Sequence, residues 1–116
     1  MASRMPNLAS MRQEEDAIDC PVARAAVIIG SSWTCLILRD LLLHGARRFQ
    51  DLQESVEGIA PTTLSERLRH LEKHEVVERR FYSMNPPRAE HVLTQKGRDL
   101  GPIVKAMRAW GTKCED

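Results

Sequence analysis

Two helical patterns joined by a turn built around one glycine limit most tightly what this chain can fold into. Phe49, Leu52 and Val56 fall at i, i+3 and i+7, one face of a short third helix from Phe49 to Val56. Glu57-Gly58-Ile59-Ala60-Pro61 breaks that pattern. A fourth helix follows, from Thr62 to about His74, with Leu64, Leu68 and Leu71 as an i, i+4, i+7 stripe. Such a pair with a short Gly-containing connection reads as a helix-turn-helix. Directly behind it Val76 to Tyr82 favours β structure. The breaker Ser83-Met84-Asn85-Pro86-Pro87-Arg88 comes next, and Ala89 to Leu93 favours β again, so a hairpin with a six-residue loop is expected. The motif is therefore a winged one.

The rest of the chain arranges itself around that unit. Residues 1–18 read as a polar N-terminal arm that ends acidic, and residues 19–113 as one domain. Asp19 or Cys20 can cap a first helix that has Pro21 at its first position and stops at Gly30. Ser31 or Ser32 caps a second helix, Trp33 to His44, closed by Gly45. Trp33, Leu36, Ile37, Leu38, Leu41, Leu42 and Leu43 make it the central core helix, covered on more than one side. Ala46-Arg47-Arg48 is a short extended piece. Thr94 caps a last helix in which Gly101 and Pro102 imply a kink or a late start. Its Leu100, Ile103, Val104, Met107 and Trp110 form a stripe longer than a core already filled by the second helix needs. A two-fold dimer surface, shared with the first helix and the arm, is the expected use. The fold class is mainly α with a small β-hairpin, a winged helix-turn-helix dimerising through terminal helices.

Several function classes drop out. Cys20, Cys35 and Cys114 are an odd number at wide spacing with no CxxC, so neither a disulfide framework nor a zinc knuckle is indicated; a reduced, cytoplasmic protein is expected. No apolar run is long enough for a bilayer, so no membrane partner is expected. His44, His70, His74 and His91 lack HExxH spacing. His70 and His74 are i, i+4 on a helix but have no further ligand set, and neither GxxxxGK nor GxGxxG occurs. No metal, no cofactor and no enzymatic activity are expected.

The polar side of the fourth helix carries Thr62, Thr63, Ser65, Glu66, Arg69 and His70, the mixture of donors and acceptors that reading bases in a major groove requires. A merely solvated helix face would show the same polarity. Phosphate contacts, which fix register without reading sequence, would come from Arg47, Arg48 and Gln50 at the start of the third helix and from the wing. Arg79 and Arg80 must face opposite ways on a strand. With Val77 and Phe81 as its core side, Arg80 and Tyr82 share the outward parity. The stiff Pro86-Pro87 tip presents Arg88 for a phosphate contact, with a salt bridge to Glu90 as the alternative reading. A net charge of only +1 argues against a nucleic-acid partner at first sight, but two Arg against four acids in residues 1–20 lower the total. Residues 61–88 hold five Arg and one Lys against four Glu.

In these residues the chain resembles the HxlR-type winged helix-turn-helix regulators of bacteria and archaea. The matching pieces are Cys20-Pro21-Val22, Gly30 with Trp33-Thr34, and Leu36-Ile37-Leu38-Arg39-Asp40-Leu41. Next come Arg47-Arg48-Phe49 with Asp51-Leu52, and Thr63-Leu64-Ser65 with Arg67-Leu68 and Leu71-Glu72. The last are Pro86-Pro87-Arg88, Glu90 and Leu93-Thr94-Gln95-Lys96-Gly97. The resemblance implies a homodimeric, sequence-specific DNA-binding regulator of transcription on a palindromic operator. A winged-helix module that binds protein and not DNA is the alternative. Members with a cysteine at the position of Cys20 include sensors, which makes Cys20 a candidate regulatory thiol with an electrophile or oxidant as inducer. As a helix-capping residue of a Cys-Pro start it would have no such role. Cys35, among Trp33, Leu36 and Ile37, reads as an inert core thiol. The chain departs from the pattern at Ser31 and Ser32, where Gly and Lys are usual, at His91 in place of an aromatic, and at Glu75 in a turn where Gly is common. A non-Gly residue is penalised there if φ is positive, so a different geometry of the helix end is expected.

Overall fold

The computed structural model describes residues 20–114, and the expected arm lies outside them. Its elements run α1 (Pro21–Ile29), α2 (Ser32–His44), α3 (Phe49–Ser55), α4 (Pro61–Lys73), β1 (Val77–Met84), β2 (Pro87–Leu93), α5 (Gln95–Arg98) and α6 (Gly101–Lys113). Cys20 is the extended N-cap of α1 with Pro21 at the first position, where a missing N–H costs nothing. Ser31 caps α2. Gly45, at φ 75°, closes α2 by donating its N–H to the Leu41 carbonyl at 2.9 Å.

One apolar cluster holds the winged unit together. Ile37, Leu38 and Leu41 of α2 meet Leu52 and Val56 at α3, Leu64, Leu68 and Leu71 of α4, and Val76 and Val77. All of these are at most 2% exposed. Ile59, also buried, pins the connection between α3 and α4, in which Gly58 takes φ 87°. The end of α2 is less enclosed than its apolar content implies: Leu42 is half-buried and Leu43 is 60% exposed.

The hairpin is tighter than expected. β1 and β2 pair antiparallel from Val77 opposite Leu93 as far as Met84 opposite Pro87, which leaves Asn85 and Pro86 between the strands instead of a six-residue loop. A bulge between Phe81 and Ser83 absorbs the change of register. Two strands with solvent on both sides of the tip tolerate Pro87, since its missing N–H breaks no central ladder. The extended piece before α3 adds one rung to the other edge of β2. Arg47 N–H donates to the His91 carbonyl at 2.9 Å, and His91 N–H donates back at 2.6 Å. The last helical region is two helices: α5 ends at Arg98, and α6 begins at Gly101 with Pro102 in its first turn, the late start.

The junction of α4 with β1 keeps the geometry that glycine usually supplies, contrary to the expectation from Glu75. Glu75 sits at φ 60°. Its N–H donates to the Glu72 carbonyl at 3.0 Å, and Val76 N–H donates to Leu71 at 2.9 Å. These are the two bonds of a Schellman end, with Val76 and Leu71 as its buried apolar contact. Thr94 locks the turn from outside: its hydroxyl donates to the Glu75 carbonyl at 2.6 Å and accepts from Gly97 N–H at 3.1 Å. Gly97 lies so close that a Cβ there would collide with the Val76 carbonyl. Glu75→Gly relieves a left-handed penalty of about 1–2 kcal/mol against a smaller entropic loss. It should stabilise the fold by about 0.5–1 kcal/mol in urea denaturation, whereas Gly97→Ala should destabilise it by about 1–3 kcal/mol. A lowered midpoint for Glu75→Gly would show that the turn is not strained.

Candidate nucleic-acid interface

α4 is held by its leucines, so its 3.6-residue period fixes what each remaining side chain meets. Thr62, Glu66 and Arg69 lie opposite the leucine stripe and are exposed. Ser65 and Arg69 border a groove whose other wall is Arg79, Ala89 and His91 of the hairpin, with Phe49 at its end. Thr63, Arg67 and His70 lie on the other flank of α4, towards α1. His70 is not available to bases: its Nε2 is 2.9 Å from the Val27 carbonyl of α1, and its ring meets His74 edge-on at 4.6 Å. The helix period alone placed it beside the polar face; the packing of α1 turns it to the protein.

The start of α3 divides the three expected phosphate contacts. Arg47 points inward. Its Nε donates to Asp40 Oδ2 at 3.1 Å and its Nη2 to Ser55 Oγ at 3.2 Å, and the Asp40 side chain is only 3% exposed. Arg47 therefore neutralises a buried carboxylate of the core helix and is no phosphate ligand. Arg48 is exposed but engaged: Nε and Nη2 reach the two carboxylate oxygens of Asp51 at 3.2 and 3.1 Å, and the Tyr82 hydroxyl is also within reach. Asp51 in turn accepts the Arg48 backbone N–H at 3.0 Å and so caps α3. The Arg48 side chain, then that backbone N–H, hold the Asp51 carboxyl below the usual carboxylate range. Gln50 is exposed in the first turn.

In the wing the two arginines exchange roles. Arg79 lies on the α4 side, with Nε donating to Glu72 Oε1 at 3.2 Å and its guanidinium 5.8 Å from the Phe81 ring centre. Arg80 faces the opposite side of the hairpin and pairs across the strands with Glu90 at 3.3 Å. The parity argument took Phe81 as core, yet Phe81 is 46% exposed and only Val77 of that face is buried. The strand lifts away from the domain beyond Val77, so the inner face opens into the groove beside α4. Glu72, on the wing side of α4, is the sequence signal that would have pointed to Arg79. With Glu90 taken by Arg80, Arg88 makes no ion pair among the described residues and is exposed at the hairpin tip. His91, 6% exposed, is kept below the ordinary histidine range by burial.

At the ends of the domain, Cys20 is exposed, and its side chain makes no capping bond to α1. Cys35 is half-buried, donates to the Ile29 carbonyl at 3.2 Å, and is pushed up by desolvation, as an inert thiol should be. The α6 stripe splits. Leu100 and Val104 pack on the core and anchor the helix to α2, whereas Ile103, Met107 and Trp110 are 41, 45 and 70% exposed. No single helix among the described residues is long and apolar enough to cross a membrane.

Comparison with known proteins gives a consistent result. A family model described as HxlR-like helix-turn-helix matches residues 28–116. The HTH-type transcriptional regulator YodB of Bacillus subtilis is 35% identical over 98 residues, 83% of this chain and 87% of that one. The uncharacterized regulator YdeP of the same organism is 35% identical over 102 residues, 88% of this chain and 79% of its own. Among solved structures, the redox regulator HypR in its oxidized form superposes with a TM-score of 0.76 at 34% identity, over 84% of this chain and 99% of that one. The reduced form of YodB gives 0.67 at 34% identity, over 80% of this chain and 91% of that one.

The reassignment of Arg47 has a direct consequence. Arg47→Ala leaves Asp40 buried without its cation and should cost about 2–4 kcal/mol of stability, read as a lowered urea midpoint. Arg88→Ala should leave the midpoint within about 0.5 kcal/mol of the unaltered protein. Equal stability of the two variants would return Arg47 to the surface contacts.

Proposed function

The chain belongs to the HxlR-like helix-turn-helix family of transcriptional regulators, and from that premise we propose that it binds a palindromic DNA operator as a homodimer. The observation that carries this reading is the surface of α4. Thr62, Glu66 and Arg69 stand exposed on a helix whose opposite face is sealed in the core, and Ser65 and Arg69 border the groove walled by Arg79. In the proposed complex α4 enters the major groove, with Arg69 suited to guanine and Glu66 to the cytosine amino group. Thr62, Thr63, Ser65 and Gln50 contribute shorter-range bonds, and Arg88 reaches a flanking phosphate from the hairpin tip. Arg48 reaches one only by sharing its guanidinium with Asp51. The exposed Ile103, Met107 and Trp110 of α6 supply the dimer surface in this reading. Two-fold symmetry then places the half-sites about 34–36 Å apart or at a multiple of that.

The test is a salt titration of binding to the protein's own upstream region. Arg88→Ala should weaken binding to every sequence and lower the salt slope by about one unit. Arg69→Ala should weaken operator binding by about 1–3 kcal/mol and relax the base preference. Absence of any salt-sensitive DNA binding would leave a protein-interaction module as the better description.

The similarity to HypR, described as a redox regulator, together with the exposed Cys20, supports a regulatory thiol. In the proposed switch an oxidant such as diamide takes two electrons and two protons from the two Cys20 thiols of a dimer. The resulting disulfide alters the spacing of the paired α4 helices. Diamide should release the unaltered protein from DNA and leave Cys20→Ser bound. Equal release of both would remove Cys20 from regulation.

A further inference from the structure

α6 is anchored to the core near its start, by Leu100 and Val104. Along its length α6 and α2 leave an apolar groove of about 550 Å³ between them. Leu36, Leu42 and Leu43 of α2 and Val104 and Met107 of α6 line it, and Leu43 and Met107 are exposed. Arg39 from α2 and Lys105 and Arg108 from α6 form its rim. All three are exposed, and none has an ion-pair partner among the described residues. Met107 belongs both to the groove and to the exposed stripe with Ile103 and Trp110, so whatever covers the stripe also borders the groove.

The charge of the terminal helices selects what can fill it. α1 and α6 carry Arg24, Lys105, Arg108 and Lys113 and not one carboxylate. Two copies that met on these helices alone would set cations against cations, which stable interfaces avoid. The acids must therefore come from another part of the chain. Its one run of three consecutive acids is Glu14-Glu15-Asp16 in the arm, with Met11 and Ile18 on either side. The length fits as well. From Cys35 to Leu43 the groove follows α2 for about 12 Å at 1.5 Å per residue, and about four extended residues cover that distance.

We propose that this groove receives the acidic stretch of the arm of a second copy. Glu14, Glu15 and Asp16 then lie on Arg39, Lys105 and Arg108, and the flanking Met11 and Ile18 rest on the leucine floor. The proposal rests on the reading of α6 as the dimer surface and deepens it. Each copy lends its arm to the other, so each rim is neutralised by acids that the terminal helices lack. The contact is isologous and is made twice. The apolar floor supplies the buried area, and the charges supply register and partner choice.

Charge reversal in two separate variants of the full chain tests this, in reducing buffer and without DNA. Glu14→Lys/Glu15→Lys/Asp16→Lys reverses the arm, and Arg39→Glu/Lys105→Glu/Arg108→Glu reverses the rim. Each alone sets like charges together and should raise the dimer Kd about tenfold or more in sedimentation equilibrium. When the two are mixed, each arm meets a rim of opposite sign. Native mass spectrometry should then show the heterodimer in about tenfold or greater excess over either homodimer. That recovery also shows that both variants fold. An arm lying on its own copy's groove gives no such preference, so a statistical mixture overturns the proposal. So does a dimer Kd that arm reversal leaves unchanged. A larger loss from Glu115→Gln/Asp116→Asn also overturns it, by assigning the groove to the C-terminal acids. An unaltered protein that stays monomeric at every concentration overturns the dimer reading itself, and the proposal with it.

Discussion

The burial of one face of α4 is the constraint on which the rest of the molecule depends. Leu64, Leu68 and Leu71 are 0–2% exposed against α2 and α3, and each fully buried leucine contributes about 2 kcal/mol. A helix fixed on three such points has no rotational freedom about its axis. The direction of every other side chain on it follows from the helical period. That is why Thr62, Glu66 and Arg69 face outward together, why Ser65 borders the hairpin, and why Arg67 and His70 turn to α1. One packing event thus divides the helix into a buried face, an exposed face and two flanks with separate neighbours.

α3 depends on that core more than α4 does. Seven residues are too few to form a helix alone. Leu52 and Val56 place it in the apolar cluster, and Asp51 accepts the backbone N–H of its N-cap residue, Arg48. Arg47 ties its Ser55 end to Asp40 of the core helix. An aspartate facing inward from α2 requires such a cation, and Arg47 also bonds β2 through its backbone. The same residue therefore links the central helix, the short helix and the hairpin. Its side chain is settled by an interior charge, although it stands in a run of two arginines that looks like surface.

Architecture was legible in the sequence where the signal is local and repeated. The glycine and proline punctuation at Pro21, Gly30, Gly45 and Gly58 marks helix ends that recur within a residue or two in the structure. The 3.6-residue spacing of leucines identifies α4 and its buried face. Long-range pairing was not legible. Arg47 finds Asp40, Arg79 finds Glu72 and His70 finds Val27, and no spacing within one element encodes those meetings. The strand parity was read correctly, but how far the inner face stays covered depends on where the hairpin leaves the domain. Val77 is buried and Phe81 is not. Glu75 shows the opposite case: the turn keeps a left-handed residue without glycine, because Thr94, Leu71 and Val76 over-determine its backbone.

The same pairings explain how a chain with a net charge of +1 fits a DNA partner. Asp40, Asp51, Glu72 and Glu90 each hold an arginine that the sequence presents as free: Arg47, Arg48, Arg79 and Arg80. Their charge is compensated within a few ångströms, so they add little to a long-range positive field. Arg69 on α4 and Arg88 on the hairpin tip belong to none of these four pairs, and both are exposed. Non-specific attraction scales with the number of phosphates neutralised, and two such positions per protomer supply little of it. In the proposed complex, discrimination would depend instead on base contacts made by a rigidly held helix. Affinity would come chiefly from Arg69 and its neighbours on α4 meeting matching base edges, and duplication in the proposed dimer would double that gain without raising the general charge.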